Sequence, residues 1–194
     1  MTKIGSLCVY CGSSSSGPPS HKVAAIRLGQ IMAAHGIRLI FGGGRIGLMG
    51  ALADSAIAGG GEVIGVIPRF LDEHEISHTG VTRLEITDSM HERKQLMAEL
   101  SDGFIVLPGG LGTLDETLEI ITWKQLKLHD KPIVIVNIDD YWRPLERLIG
   151  HTVGNGYTHP KNSGIVTYVS DVDSVLLELK EVPTRDRRRD HKWL

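Results

Sequence analysis

Two rhythms of apolar residues alternate along this chain. Short runs, nearly continuous in Val, Ile and Leu, fall near residues 4–10, 37–41, 62–67, 103–107, 132–136 and 165–169. Amphipathic stretches fill the gaps, near 20–35, 46–59, 89–101, 113–127, 142–150 and 171–180. A strand reads as a continuous apolar run when both of its faces are covered, and an amphipathic stretch of this length reads as a helix that covers one. The alternation predicts an α/β fold: a Rossmann-like, doubly wound, mostly parallel sheet flanked by helices. Segment 68–88 fits least well; its Pro68, Gly80 and scattered charges suggest a loop with a short extra strand at about 81–86. In such a sheet the ligand lies beyond the carboxyl ends of the strands, so chemistry is to be sought in the loops that follow them.

Composition narrows the class. A chain of 194 residues suits one core. We expect a single Rossmann-like domain over 1–182 and a polar, flexible tail over 183–194. A net charge of −2 lacks the basic excess of a dedicated nucleic-acid binder. The cluster Arg185-Asp186-Arg187-Arg188-Arg189 reads as a solvated end. Runs such as Ile133–Val136 are too short to span a bilayer, and no membrane partner is expected. Met1–Gly5 leads into a strand-like run without an apolar leader, so the expected address is cytoplasmic. Cys8 and Cys11 stand three apart in or beside a strand, facing opposite sides, and read as buried thiols and not as a redox pair.

Three strand ends carry turns of small residues: Cys11-Gly12-Ser13-Ser14-Ser15-Ser16-Gly17, Gly42-Gly43-Gly44-Arg45-Ile46-Gly47, and Pro108-Gly109-Gly110-Leu111-Gly112-Thr113. Glycine at a strand-to-helix turn lets backbone N–H groups close on an anion. Three such turns on one sheet edge imply a nucleotide-sized polar ligand, with Gly12, Ser13, Ser14, Gly43 and Gly44 as candidate phosphate or ribose contacts. Gly42, Gly44 and Gly47 match G-x-G-x-x-G, but the next strand runs into Pro68-Arg69 where a dinucleotide site needs an acid. The Lys-Ser/Thr pair of a triphosphate loop is also missing. Thr113 and Glu116 have the spacing of a helix capping box, which would explain those two residues but not the glycines before them.

Pro-Gly-Gly-x-Gly-Thr-x-x-Glu at 108–116, together with Met-His-Glu-Arg-Lys at 90–94, resembles the Lonely Guy (LOG) family of phosphoribohydrolases. The resemblance runs from the Cys-Gly-Ser-Ser turn through Gly-Gly-Gly-x-x-Gly-Leu-Met-Gly to Thr122. These enzymes release cytokinin bases from riboside 5′-monophosphates, many bacterial members also cleave AMP, and members have often been labelled lysine decarboxylases. The resemblance implies Arg93 and Glu116 as the catalytic pair. It implies Glu75, Arg93, Lys94, Gly110, Leu111, Gly112, Thr113, Leu114, Asp115, Glu116 and Thr122 as substrate contacts. It further implies a homodimer, with no cofactor and no metal.

Cleavage of an N-glycosidic bond passes through an oxocarbenium-like sugar. Gly110, Gly112 and Thr113 at a helix N-terminus suit the phosphate. Glu116, expected in the first turn of that helix, suits a carboxylate that offsets the developing positive charge or orients water. Arg93 can grip the ribose phosphate or the leaving base. No residue stands out as the acid that protonates the base. His74, His78 and His91 lack the spacing of a zinc motif and read as surface or loop residues, and Trp123 and Trp142 as core or interface. Helices near 89–101 and 113–127 are the expected dimer surfaces, because Met90, Leu96, Met97, Leu118, Ile121 and Leu126 exceed what one sheet face needs. Two rivals remain: a non-catalytic nucleotide or cofactor carrier on the same fold, and a pyridoxal-phosphate lysine decarboxylase, which needs a Schiff-base lysine.

Overall fold

A computed structural model describes residues 4–72, 76–162 and 164–181. Among the described residues seven strands form one sheet: β1 (Ser6–Tyr10), β2 (Arg38–Phe41), β3 (Val63–Pro68), β4 (Arg83–Thr87), β5 (Gly103–Val106), β6 (Ile133–Val136) and β7 (Thr167–Val169). Their order is β4-β3-β2-β1-β5-β6-β7, and every named pair is parallel. The sheet is therefore wholly parallel where the sequence had promised only mostly so. The short strand expected at about 81–86 is β4 at the sheet edge, and its mixed exposure explains why it lacks a continuous apolar run.

Among the described residues six α-helices lie between strands, α1 (Pro19–Ala34), α2 (Gly47–Ala58), the single turn α3 (Arg69–Asp72), α4 (Met90–Glu99), α5 (Leu111–Gln125) and α6 (Arg143–Gly154), and α7 (Val175–Glu181) follows β7. Two apolar layers result. Leu7, Val9, Leu39 and Phe41 face α1 and α2 on one side, whereas Cys8, Tyr10, Ile40 and Phe104 face the layer of α4 and α5 on the other. Strand alternation thus sends Cys8 to one core and Cys11 to the opposite one. Both thiols are free, and burial raises each far above the ordinary thiol value. Where α1 crosses α2, a Cβ on Gly29 would lie 2.6 Å from the Leu52 carbonyl oxygen, so this packing distance requires glycine.

The chain winds outward from β1 toward β4, then returns to lay β5 against the other side of β1. The reversal between β1 and β5 opens the crevice in which such sheets hold ligands. No helix among the described residues is long and apolar enough to cross a membrane. The expected tail over 183–194 lies outside the described residues, as do Glu75 and His74.

The apolar excess on α4 and α5 is smaller than the sequence suggested. Met97 and Ile121 belong to the core and Leu96 packs against it, because these helices bury a wider stripe than one sheet face alone would demand. Met90, Leu118 and Leu126 are exposed, and Leu111 and Leu128 join them.

Candidate active site

Arg93 and Glu116 come from different helices, and the sheet edge brings them together. Ser89 caps α4 by accepting the Glu92 N–H at 3.1 Å, while the Glu92 carboxylate accepts from the Asp88 N–H at 2.9 Å. This reciprocal capping fixes the first turn of α4, from which Arg93 reaches inward. Its Nη1 donates to Glu116 Oε1 at 2.6 Å and its Nε to the Val66 carbonyl at 3.0 Å. Both side chains of the pair are only 8% exposed.

The turn after β2 is shaped around this arginine. A Cβ on Gly42 would collide with Arg93 Nη2, so the guanidinium occupies the space of the missing side chain. Gly43 has φ +74°, a conformation glycine adopts without strain. The segment after the undescribed residues 73–75 closes over this turn: Ser77 bridges Gly44, Arg45 donates its N–H to the Ile76 carbonyl, and His78 donates its N–H to that of Gly43 at 2.7 Å. His78 lies in a loop, as expected, but it is buried and not on the surface. Its ring packs edge-on to Phe41 and its Nε2 meets Asp54 Oδ1 at 2.9 Å.

The turn after β5 faces the turn after β1. Gly12 donates its N–H to the Pro108 carbonyl at 3.0 Å, and a Cβ on Gly109 would collide with the Thr113 hydroxyl. α5 begins at Leu111 with Gly110 as its N-cap. The start of α5 differs from the sequence pattern in two ways. Thr113 is not a cap but a buried residue within the helix, so there is no capping box. Glu116 does not lie in the first turn but at the sixth helical position. The glycines masked this start. Gly112 is a poor helix former, so the sequence hides a helix that already includes it. Gly110 and Gly112 have open space where a Cβ would stand. The N–H groups of this first turn have no helical carbonyl to meet, and such groups at a helix N-terminus can bind an anion.

Electrostatics distinguish the charged groups. Burial pushes the Glu116 carboxyl above its ordinary value, and the Arg93 charge and hydrogen bond offset only part of that. Lys94 Nζ binds Asp115 Oδ2 at 3.0 Å and Glu119 Oε2 at 3.2 Å. Burial works to lower its ammonium, but the two carboxylates outweigh it and leave the value raised. Leu111 and Asp115 are exposed and Leu114 is half-buried. Ser13 and Ser14 are exposed in the loop after β1, where their backbone packs against Gly47. Thr122 stands six residues beyond Glu116, roughly 9 Å along the axis, with its hydroxyl on the Leu118 carbonyl, and it does not meet the others within this chain.

One contributor escaped sequence reasoning. Tyr141, in the connection after β6, donates its hydroxyl to the Gly109 carbonyl at 2.7 Å. The connection lies at the same sheet edge as the glycine turns, and that position was the signal by which it could have been found.

Known proteins share this chain's pattern. A family model described as "Possible lysine decarboxylase" matches residues 49–179. A probable cytokinin riboside 5′-monophosphate phosphoribohydrolase of Oryza sativa subsp. japonica, LOGL1, is 41% identical over 179 residues, 92% of this chain and 80% of its own. The cytokinin riboside 5′-monophosphate phosphoribohydrolase LOG1 of Arabidopsis thaliana is 40% identical over 96% of this chain and 88% of its own. The enzyme of that name from Rhodococcoides fascians is 40% identical over 90% and 89%. Among solved structures, the molybdenum cofactor binding protein of Rippkaea orientalis superposes with a TM-score of 0.72 at 20% identity, covering 93% of this chain and 98% of its own. The molybdenum cofactor carrier protein of Chlamydomonas reinhardtii gives 0.71 at 23%, covering 92% and 98%. At such identities these two share the fold alone.

Proposed function

The chain belongs to the Lonely Guy family of phosphoribohydrolases, and from that premise we propose that its buried Arg93–Glu116 pair cleaves purine nucleoside 5′-monophosphates to free base and ribose 5-phosphate. Both AMP and N6-prenylated AMP fall within this substrate class. The observation that carries the assignment is the 2.6 Å contact between Arg93 Nη1 and Glu116 Oε1 beside the free first turn of α5.

In this reading the 5′-phosphate docks on the N–H groups at Gly110–Thr113, with the turns at Gly12–Ser14 and Gly43–Gly44 walling the ribose. The bond from the anomeric carbon to the base nitrogen breaks with its electron pair going to the base. The Glu116 carboxylate, held in one orientation by Arg93, faces the positive charge that grows on the sugar. Water then supplies hydroxide to the anomeric carbon and a proton that balances the departing base. Arg93 spends its Nε and Nη1 on Val66 and Glu116, so its role is to orient the carboxylate and favour its ionised form.

The label lysine decarboxylase finds no support beside the site. Lys94 is bound by two carboxylates and its ammonium is stabilised, the opposite of what an amine nucleophile needs. We further propose that residues 1–182 act as one catalytic domain, without cofactor or metal, in the cytoplasm where such nucleotides are made. Two copies pair through the exposed apolar residues of α4 and α5, and Thr122 reaches a site only across that contact. The deciding experiment incubates purified protein with AMP, N6-isopentenyl-AMP and adenosine and separates the products by chromatography. Release of free base from the monophosphates supports the reading, and binding without release would leave a carrier.

A further inference from the structure

Beyond the residues so far assigned, the connection after β6 is built in an unusual way. Asp139 and Asp140 both adopt left-handed backbone, at φ 52° and 59°. Two consecutive non-glycine residues in this region are strained, and they persist only where their surroundings over-determine them. Here they do. Ser20 of α1 donates its hydroxyl to Asp139 Oδ2 at 2.6 Å, and Asn137 donates its side-chain amide to Asp140 Oδ1 at 3.1 Å. Asn137 Oδ1 in turn accepts the Trp142 N–H at 2.7 Å. The product of this construction is the placement of Tyr141. Its ring stands edge-on to His21 of α1, with centroids 5.3 Å apart, and to Trp142 at 4.9 Å. Its hydroxyl ends on the Gly109 carbonyl at 2.7 Å.

That carbonyl belongs to a peptide with glycine on both sides, the unit of the turn freest to rotate. In a trans peptide the C=O and N–H point in opposite directions. Fixing the Gly109 carbonyl on Tyr141 therefore aims the Gly110 N–H the other way, and no protein acceptor meets that N–H among the described residues. We propose that Tyr141 is a positioning residue for the reaction: its hydroxyl sets the Gly109–Gly110 peptide so that the Gly110 N–H faces the substrate phosphate. The strained Asp139-Asp140 turn is the strap that places it. The inference rests on the phosphate docking at the first turn of α5.

Tyr141→Phe keeps the ring against His21 and Trp142 and deletes only the hydroxyl. The variant is compared with the parent for the KM of AMP, for competitive inhibition of AMP cleavage by ribose 5-phosphate, and for melting temperature. KM and the ribose 5-phosphate Ki should rise together by roughly tenfold, the scale of one hydrogen bond to a charged group. The melting temperature should stay within about 2 °C, since an exposed tyrosine hydroxyl contributes little to the fold. A merely structural role would lower the melting point or the active fraction without moving Ki. An unchanged Ki in the variant, with the parent inhibited, overturns the role of Tyr141 alone. Failure of ribose 5-phosphate to inhibit the parent overturns the phosphate site and this inference with it.

Discussion

Replacing Glu116 by Gln separates catalysis from folding at the centre of the site. The amide keeps the shape and still offers Oε1 to Arg93 Nη1, so the 2.6 Å contact survives as an ordinary hydrogen bond. The charge is lost. Two unit charges about 4 Å apart attract by about 4 kcal/mol at an effective dielectric of 20, which taken alone would make the pair strongly stabilising. Burial opposes that attraction, and for Glu116 it wins, since its carboxyl titrates above the ordinary value. The sign follows by linkage. With the folded value raised, the stability this group contributes is fully present below its unfolded value and is lost as pH rises through the folded one. At neutral pH the ionised carboxylate is thus a net cost to the native state. The neutral amide removes that cost, although it leaves the buried Arg93 guanidinium with only neutral acceptors, Val66 among them. Glu116→Gln should therefore lower stability by no more than about 3 kcal/mol, or about 9 °C for a domain of this size. Its turnover of AMP should fall at least ~100-fold, the scale of losing one electrostatic contact to the transition state. Calorimetric melting and chromatography of released adenine measure the two quantities on the same sample. A variant that melts 10 °C lower yet retains its turnover per folded molecule would make the pair structural and refute the mechanism.

Other outcomes follow from the same geometry. The parent enzyme should lose AMP cleavage as pH falls through the raised Glu116 value, and a pH profile with an acid limb at the ordinary carboxylate value would contradict the assignment. Gly42→Ala drives a methyl into Arg93 Nη2 and should lower turnover by more than tenfold in the AMP assay; an unaffected rate would mean that Arg93 is free to move. Lys127, at φ 62° just after α5, closes the helix with its N–H on Lys124 and that of Leu128 on Trp123. Lys127→Gly should raise stability by about 1 kcal/mol by relieving the left-handed strain, as thermal melting would register. Light scattering at micromolar concentration should give the mass of a dimer, and a monomer mass would remove α4 and α5 as a contact surface.

The fold was legible because the five inner strands are buried on both faces, which writes Val, Ile and Leu into uninterrupted runs such as Ile133–Val136. β4 was legible only as a hint, since an edge strand needs no such run. The site was legible to a different depth. Glycine spacing revealed three turns on one edge, but not which atom each glycine makes room for: Gly42 yields to Arg93 and Gly109 to Thr113, contacts set by helices that start elsewhere in the chain. The same limit misplaced the start of α5, because Thr-x-x-Glu is a capping signal only when Thr is the cap, and here tertiary contact pulls Thr113 inside the helix. Tyr141 left no signature in its residue type, only in its place at the sheet edge that carries the glycine turns. A tyrosine after Asp-Asp is unremarkable by composition, and it gains a role only because two left-handed residues swing it onto a carbonyl 32 residues away. Local pattern therefore identifies residues that a function needs for their own chemistry, such as Glu116. Residues needed for where they push another group become visible only once the backbone path between them is known.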